Sequence, residues 1–80
     1  MPHEKKNPLP TRESRILRER RIELCLTQMD IARECGIELQ HYQRYEYGKR
    51  SLAKSRMDIG LRVCAILELD PYDLIFPENL

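Results

Sequence analysis

From residue 11 onward the apolar positions recur at helical spacing, and capping residues and glycines punctuate them. Leu17 and Leu24 are i,i+7 partners with Arg21 between them; Ile16 widens that stripe and Ile22 lies off it. Thr11 precedes the stripe as a capping residue, so the pattern predicts a first helix running to about Leu24. Thr27 and Asp30 open a second helix, the hydroxyl as cap and the carboxylate facing the positive helix end. Ile31, Ala32 and Cys35 form its buried face, and Gly36 stops it because glycine enters the left-handed region without a Cβ penalty. A third helix is expected from Glu38 to Tyr47, ended by Gly48. On it His41, Tyr42 and Tyr45 point one way. Leu39, Gln40, Gln43, Arg44 and Tyr47 recur at i, i+1, i+4, i+5 and i+8 and share the opposite, solvent-facing side.

Lys49 to Lys54 read as a basic connector. Ser55 and Asp58 then mark a fourth helix expected to turn Met57, Leu61 and Cys64 inward, with Val63 and Leu67, and slightly weakened by Gly60. Asp70 followed by Pro71 is an N-cap with proline at the first helical position, with Asp73 nearby. It predicts a short fifth helix through Leu74, Ile75 and Phe76 that Pro77 ends. Residues 1–10 carry three prolines and no apolar periodicity and read as a flexible arm; residues 77–80 are a tail. Without strand-like alternation or repeats, the expected fold class is all-α, one compact five-helix domain over 11–76.

Composition narrows the function classes. Eighty residues bury only about 60–65% of the unfolded surface, and with one Phe and no Trp the core must be aliphatic with a few tyrosines. No apolar run approaches a bilayer span and the first residues lack a secretory apolar stretch, so a cytoplasmic location is expected. Cys25, Cys35 and Cys64 are an odd set without C-x-x-C spacing, expected to be free, buried thiols and not a disulfide or zinc framework. No metal or cofactor is expected, and no small-molecule ligand is evident. The net charge is only +1, but residues 1–56 hold thirteen Lys/Arg against eight Asp/Glu, and residues 57–80 one against five. Such asymmetry is consistent with one anion-facing surface.

The second and third helices, joined by a Gly-containing turn, make a helical hairpin whose third member has a polar face suited to a DNA major groove. Leu26-Thr27-Gln28, Ile31-Ala32, Gly36-Ile37 and Tyr45-Glu46-Tyr47-Gly48-Lys49-Arg50 resemble the signature of the lambda-repressor-like (Cro/CI, XRE-type) helix-turn-helix family, without a gap. Leu67, Leu69 and Asp70-Pro71-Tyr72-Asp73-Leu74 are similar to its closing turn and fifth helix, so the resemblance covers about residues 12–76. It implies a sequence-specific double-stranded DNA-binding transcriptional regulator, a repressor of bacterial, phage or mobile-element origin that occupies an operator.

The resemblance also implies roles. The helix from Gln28 positions, and the helix from Glu38 enters the major groove. Gln28 matches a position that binds backbone phosphate and steadies the recognition helix. Leu39, Gln40, Gln43 and Arg44 match base-reading positions; Gln suits adenine, Arg suits guanine and Leu can touch a thymine methyl. Thr27, Glu38, Tyr47, Lys49, Arg50 and Lys54 fall where the backbone would be met or the helices positioned. Arg21 and Glu46 match a structural ion pair between the first and third helices. The chain departs from the pattern in four places. Cys25 stands where glycine usually ends the first helix, Glu38 where Ser or Thr caps the third, and Tyr42 where Ile or Val is usual, and the connector after Arg50 is longer.

The family's use of two half-sites implies a homodimer, for which Ile75, Phe76 and Leu80 supply candidate self-contacts; the same residues can instead close the core. A protein-interaction module, such as an antitoxin or inhibitor on the same fold, is the alternative, favoured by the near-neutral charge. Tyr42, Tyr45 and Tyr47 fit core packing better than a single-strand stacking platform, which normally needs a sheet. No Ser/His/Asp, Cys/His or phosphate-cradling constellation points to an enzyme.

Overall fold

Thr11 starts the first helix through a reciprocal hydrogen-bonded box. The Ser14 N–H donates to Thr11 Oγ1 (3.0 Å) and the Thr11 N–H to Ser14 Oγ (2.9 Å), which satisfies two otherwise orphaned donors. The computed structural model describes residues 10–76; the rest of the expected arm and the tail, with Pro77 and Leu80, lie outside them. The described elements are α1 (Arg12–Glu23), α2 (Gln28–Cys35), α3 (Leu39–Glu46), α4 (Met57–Leu67), α5 (Pro71–Ile75) and a 3-10 turn at Leu52–Lys54. No strand occurs among the described residues, so their architecture is all-α.

Local signals set most boundaries. α2 repeats the α1 device, with Thr27 accepting from the Asp30 N–H (3.0 Å) and Asp30 accepting from the Thr27 N–H (2.9 Å). These bonds, the backbone one first, hold the Asp30 carboxyl below its ordinary range. Gly36 ends α2 at φ 72°. Asp70 caps α5 by accepting from the Tyr72 N–H (2.9 Å), with Pro71 at the first helical position. Cys25, which follows α1, adopts φ 59° and is exposed, not buried as expected, because the left-handed turn swings its side chain to the surface.

Leu17, Ile31, Ala32, Cys35, Tyr42, Tyr45, Leu52, Ile59, Val63, Cys64, Leu67 and Leu74 form the core where α1, α2, α3 and α4 meet. Ile16, Leu24 and Ile37 pack against its edge. Burial pushes the Cys35 and Cys64 thiols up, so both remain protonated.

Two expectations for α4 are corrected. Met57 and Leu61 are 77% and 50% exposed, and the inward stripe is Ile59, Val63, Cys64 and Leu67. Most α4 positions are apolar, and the core that Leu52 joins from the 3-10 turn takes Ile59, Val63, Cys64 and Leu67. Ser55 does not cap α4 either; Arg56 holds that place, while the Ser55 hydroxyl bonds the Ser51 carbonyl (3.1 Å).

Three long-range contacts from α1 close the structure. Arg12 donates to the Leu74 and Asp73 carbonyls (3.2 and 3.1 Å) at the end of α5. Arg20 donates to the Leu67 carbonyl (2.9 Å) and to Glu68 (3.2 Å), securing the left-handed Glu68 that ends α4. Glu13 accepts from the Ser51 hydroxyl (3.1 Å) and the Ala53 N–H (2.9 Å), which caps the 3-10 turn. Among the described residues no helix is long and apolar enough to cross a membrane, and no group of three or more His, Cys, Asp or Glu is placed to hold a metal ion.

Candidate nucleic-acid interface

The candidate surface is the outer side of α3 with the basic segment after it. Tyr42 and Tyr45 turn inward and are buried, with His41 half-buried beside them. Gln40, Arg44 and Tyr47 are exposed, whereas Leu39 and Gln43 are half-buried, so the outer side carries fewer free arms than the spacing implied. α3 is shorter at both ends than expected. Glu38 is its N-cap residue without a side-chain capping bond, and Tyr47 is its C-cap. Gly48 at φ 77° turns the chain, and the Lys49 and Arg50 N–H groups both donate to the Arg44 carbonyl (2.9 and 3.1 Å). That turn sets exposed Lys49 and Arg50 against the end of α3.

A buried polar cluster anchors α3. Arg21 donates from Nε and Nη2 to the two carboxylate oxygens of Glu46 at 2.6 and 3.1 Å, and its Nη1 donates to the Leu26 carbonyl (3.0 Å). Tyr42 donates to the same carboxylate (2.6 Å), and so does Gln28 (3.0 Å). The Glu46 side chain is 0% exposed, and that of Arg21 14%. Burial by itself raises the Glu46 carboxyl, but bonds from Arg21, Tyr42 and Gln28 and the Arg21 charge outweigh it, and the net direction is downward. The hydrogen bond to Glu46 raises Arg21 against the opposing effect of burial. Burial first, then Glu46, pushes the Tyr42 phenol up, so it stays a donor. Four donors on one ionised carboxylate hold α1, α2 and α3 in register.

Gln28 accepts from Gln43 Nε2 (3.1 Å) as well as donating to Glu46. Its carbonyl and one amide hydrogen are thereby committed inside the protein, and one amide hydrogen remains. Thr27 is likewise engaged as the α2 cap.

The connector is tied to α3 through Tyr45, whose hydroxyl lies 2.7 Å from Ser55 Oγ and 2.9 Å from His41 Nε2. Arg50 Nη1 lies 3.3 Å from that histidine nitrogen. Desolvation first, then the Arg50 and Arg44 charges, lower the His41 pKa, so the ring is neutral at pH 7. Exposed Lys54 closes the connector. The tyrosine that anchors the connector was legible only as a core residue; its hydroxyl partner Ser55 stands ten residues away with no local pattern.

A second surface lies away from α3. Leu52, Met57, Gly60, Leu61, Leu74 and Ile75 line part of an apolar groove of about 180 Å³ between the 3-10 turn, α4 and α5. Ile75 is 45% exposed, and Phe76, the next residue along the chain, 46%.

No family model, curated protein or solved structure matches the chain.

Proposed function

We propose that this chain is a lambda-repressor-like (Cro/CI, XRE-type) helix-turn-helix protein that binds duplex DNA sequence-specifically and represses transcription by occupying its site. The observation that carries the reading is the outer side of α3. Its eight residues carry long polar arms, and an α-helix about 10–12 Å across with its side chains is admitted by a major groove about 12 Å wide. In this reading α2 positions, α3 enters the groove, and Gln40, Gln43 and Arg44, with Leu39 at the edge, meet base edges. Lys49, Arg50 and Lys54 meet phosphates and add affinity without sequence information. The Arg21–Glu46 cluster fixes the angle at which α3 is presented, and no catalytic group is required.

One eight-residue helix reads too few bases for useful specificity, so the protein acts as a homodimer on two half-sites. Ile75 and Phe76, exposed at the end of α5, supply the self-contact. The same apolar surface favours a second reading, a protein-interaction module, in which a different protein covers it.

Selection of duplexes from a random pool by the purified chain, followed by titration at rising salt, tests the proposal. A dimer neutralising about six phosphates loses about a thousandfold in affinity between 50 and 200 mM salt. Absence of any shifted duplex at low salt overturns DNA binding in favour of a protein partner.

A further inference from the structure

Beside the basic connector, Ser55, Tyr45, His41 and Arg50 stand in a row of close polar contacts whose directions follow from counting hydrogens. The Ser55 hydroxyl donates to the Ser51 carbonyl (3.1 Å), which only accepts, so its one hydrogen is spent. The Tyr45 hydroxyl, 2.7 Å from Ser55 Oγ, must then be the donor to it, and its hydrogen is spent too. His41 Nε2, 2.9 Å from Tyr45, therefore carries a hydrogen and donates it to the phenol oxygen. Arg50 Nη1, 3.3 Å from the same nitrogen, only donates, so it faces another N–H and has no acceptor there. A bare Nε2 accepting from Arg50 would leave the single Tyr45 hydrogen to serve both of its shorter contacts.

Arg50 presents these donors to a cavity of about 430 Å³ between α3, the connector and the start of α4, with buried Tyr45 and Ile59 in its lining. Small-molecule sites commonly occupy about 300–1,000 Å³. Exposed Lys54 and Arg56 line the cavity as well. Arg56 gives Nε and Nη2 to Asp58 (3.1 and 2.7 Å) and keeps Nη1. Among the described residues no carboxylate lines the cavity, and no ion pair engages Arg50 or Lys54. Glu13 spends its carboxylate on the Ser51 hydroxyl and the Ala53 N–H. With His41 neutral, three cations less the Asp58 carboxylate leave a net charge of +2.

A phosphomonoester matches that charge, carrying about −1.5 to −2 at pH 7 on three strong acceptor oxygens. A phosphodiester carries one negative charge on two. We infer that this cavity binds a small phosphomonoester of the sugar phosphate class, with Arg50 and Lys54 holding the phosphate and the body of the ligand lying against Ile59. Arg50 and Lys54 are also the side chains assigned above to DNA phosphates, so the bound ligand displaces DNA; this consequence, unlike the site itself, rests on the DNA-binding reading.

The test uses the full chain, followed by two-dimensional NMR at constant ionic strength and about pH 8, where the monoester is a dianion. The probes are ribose 5-phosphate, its methyl diester and inorganic phosphate. Ribose 5-phosphate shifts the amide signals of Arg50, Lys54 and Ser55 along a saturating curve with a Kd of about 1 mM or tighter. The diester, short of charge, and inorganic phosphate, without a body, each bind about tenfold more weakly. Arg50→Gln combined with Lys54→Gln, both at exposed positions, keeps the helical circular dichroism and loses saturation. Four results each overturn the site: no saturable shift in the wild type, equal binding of the diester, equal binding of inorganic phosphate (an adventitious ion only), or an undiminished affinity in the double variant. The wild-type titrations decide without the variant.

Displacement of DNA is read separately, by fluorescence anisotropy on a duplex that the chain selects. Ribose 5-phosphate at about ten times its Kd lowers the duplex affinity of the wild type about tenfold, relative to chloride of the same ionic strength. An unchanged affinity overturns the displacement. A wild type that binds no duplex overturns the DNA-binding reading, and the NMR titration still decides the site.

Discussion

Replacing Arg21 by methionine keeps the aliphatic stem but removes both hydrogen bonds to Glu46, at 2.6 and 3.1 Å, and the one to the Leu26 carbonyl. Glu46, with a side chain 0% exposed, is left with the Tyr42 hydroxyl and the Gln28 amide as donors. Stranding a buried charge in this way costs about 3–5 kcal/mol, against a total stability of about 4–12 kcal/mol for a chain of this length. The loss depends on pH with a definite sign. In the wild type the Glu46 carboxyl lies below its ordinary value: burial pushes it up, but the hydrogen bonds and the Arg21 charge win. The pair's contribution is therefore present above the unfolded carboxyl value of about 4.3 and is lost as pH falls through the folded value. Without Arg21 the first-ranked lowering contribution is lost while burial remains, so the folded carboxyl moves up. Glu46 then destabilises the variant at neutral pH and ceases to do so once it is protonated. Urea titrations followed by helical circular dichroism at pH 7 and near pH 4 measure the difference, with the slope checked for two-state behaviour. The gap between Arg21→Met and wild type is widest at pH 7 and narrows in acid, and adding Glu46→Gln recovers part of it at pH 7. A gap below about 1 kcal/mol at pH 7, the ordinary value of an exposed ion pair, or one independent of pH, refutes the reasoning.

The remaining predictions concern the backbone, the basic segment and the second surface. Cys25 is exposed at φ 59°, so Cys25→Gly stabilises by about 0.5–1 kcal/mol, which a thermal melt reads as a rise of about 2–8 °C in Tm. Gly36→Ala does the reverse by about 1–2 kcal/mol, from backbone strain alone, since an added Cβ meets nothing within 4 Å. Lys54→Ala weakens binding to all duplexes alike and lowers the salt slope by about 0.9, as read from titrations at several salt concentrations. Ile75→Asp shifts sedimentation from dimer to monomer with little change in Tm, because Ile75 is 45% exposed in the single chain.

Features encoded within a few residues were legible in the sequence, and those decided by distant contacts were not. Thr27 with Asp30, Gly36 at the end of α2 and Asp70-Pro71 at the start of α5 each carry their own capping chemistry, and the observed helices begin and end where it places them. α4 is the contrary case. Met57 and Leu61 stand at helical spacing from buried Cys64, just as Ile59 does from buried Val63 and Leu67, so periodicity within α4 does not choose between Met57 with Leu61 and Ile59. The surrounding core decides, and Leu52 joins it from a 3-10 turn that local pattern did not reveal and that Glu13 caps from across the molecule. Arg12 and Arg20 belong to no local pattern in the sequence, yet they close α5 and α4 across sequence separations of 47 to 62 residues. At the candidate interface the outward positions followed from helical spacing, but the Gln28–Gln43 tether did not. It depends on how α2 and α3 pack, and it turns an apparent free arm into an oriented one.

Base reading by α3 is tested most directly at Arg44, which is exposed on its outer side and takes no part in the buried cluster. Fluorescence anisotropy compares wild type and Arg44→Ala at one fixed salt, on the duplex the wild type selects and on a scrambled duplex of the same composition. The account predicts a loss of about 1–3 kcal/mol on the selected duplex and none on the scrambled one. An equal loss on both, or no loss on either, contradicts it.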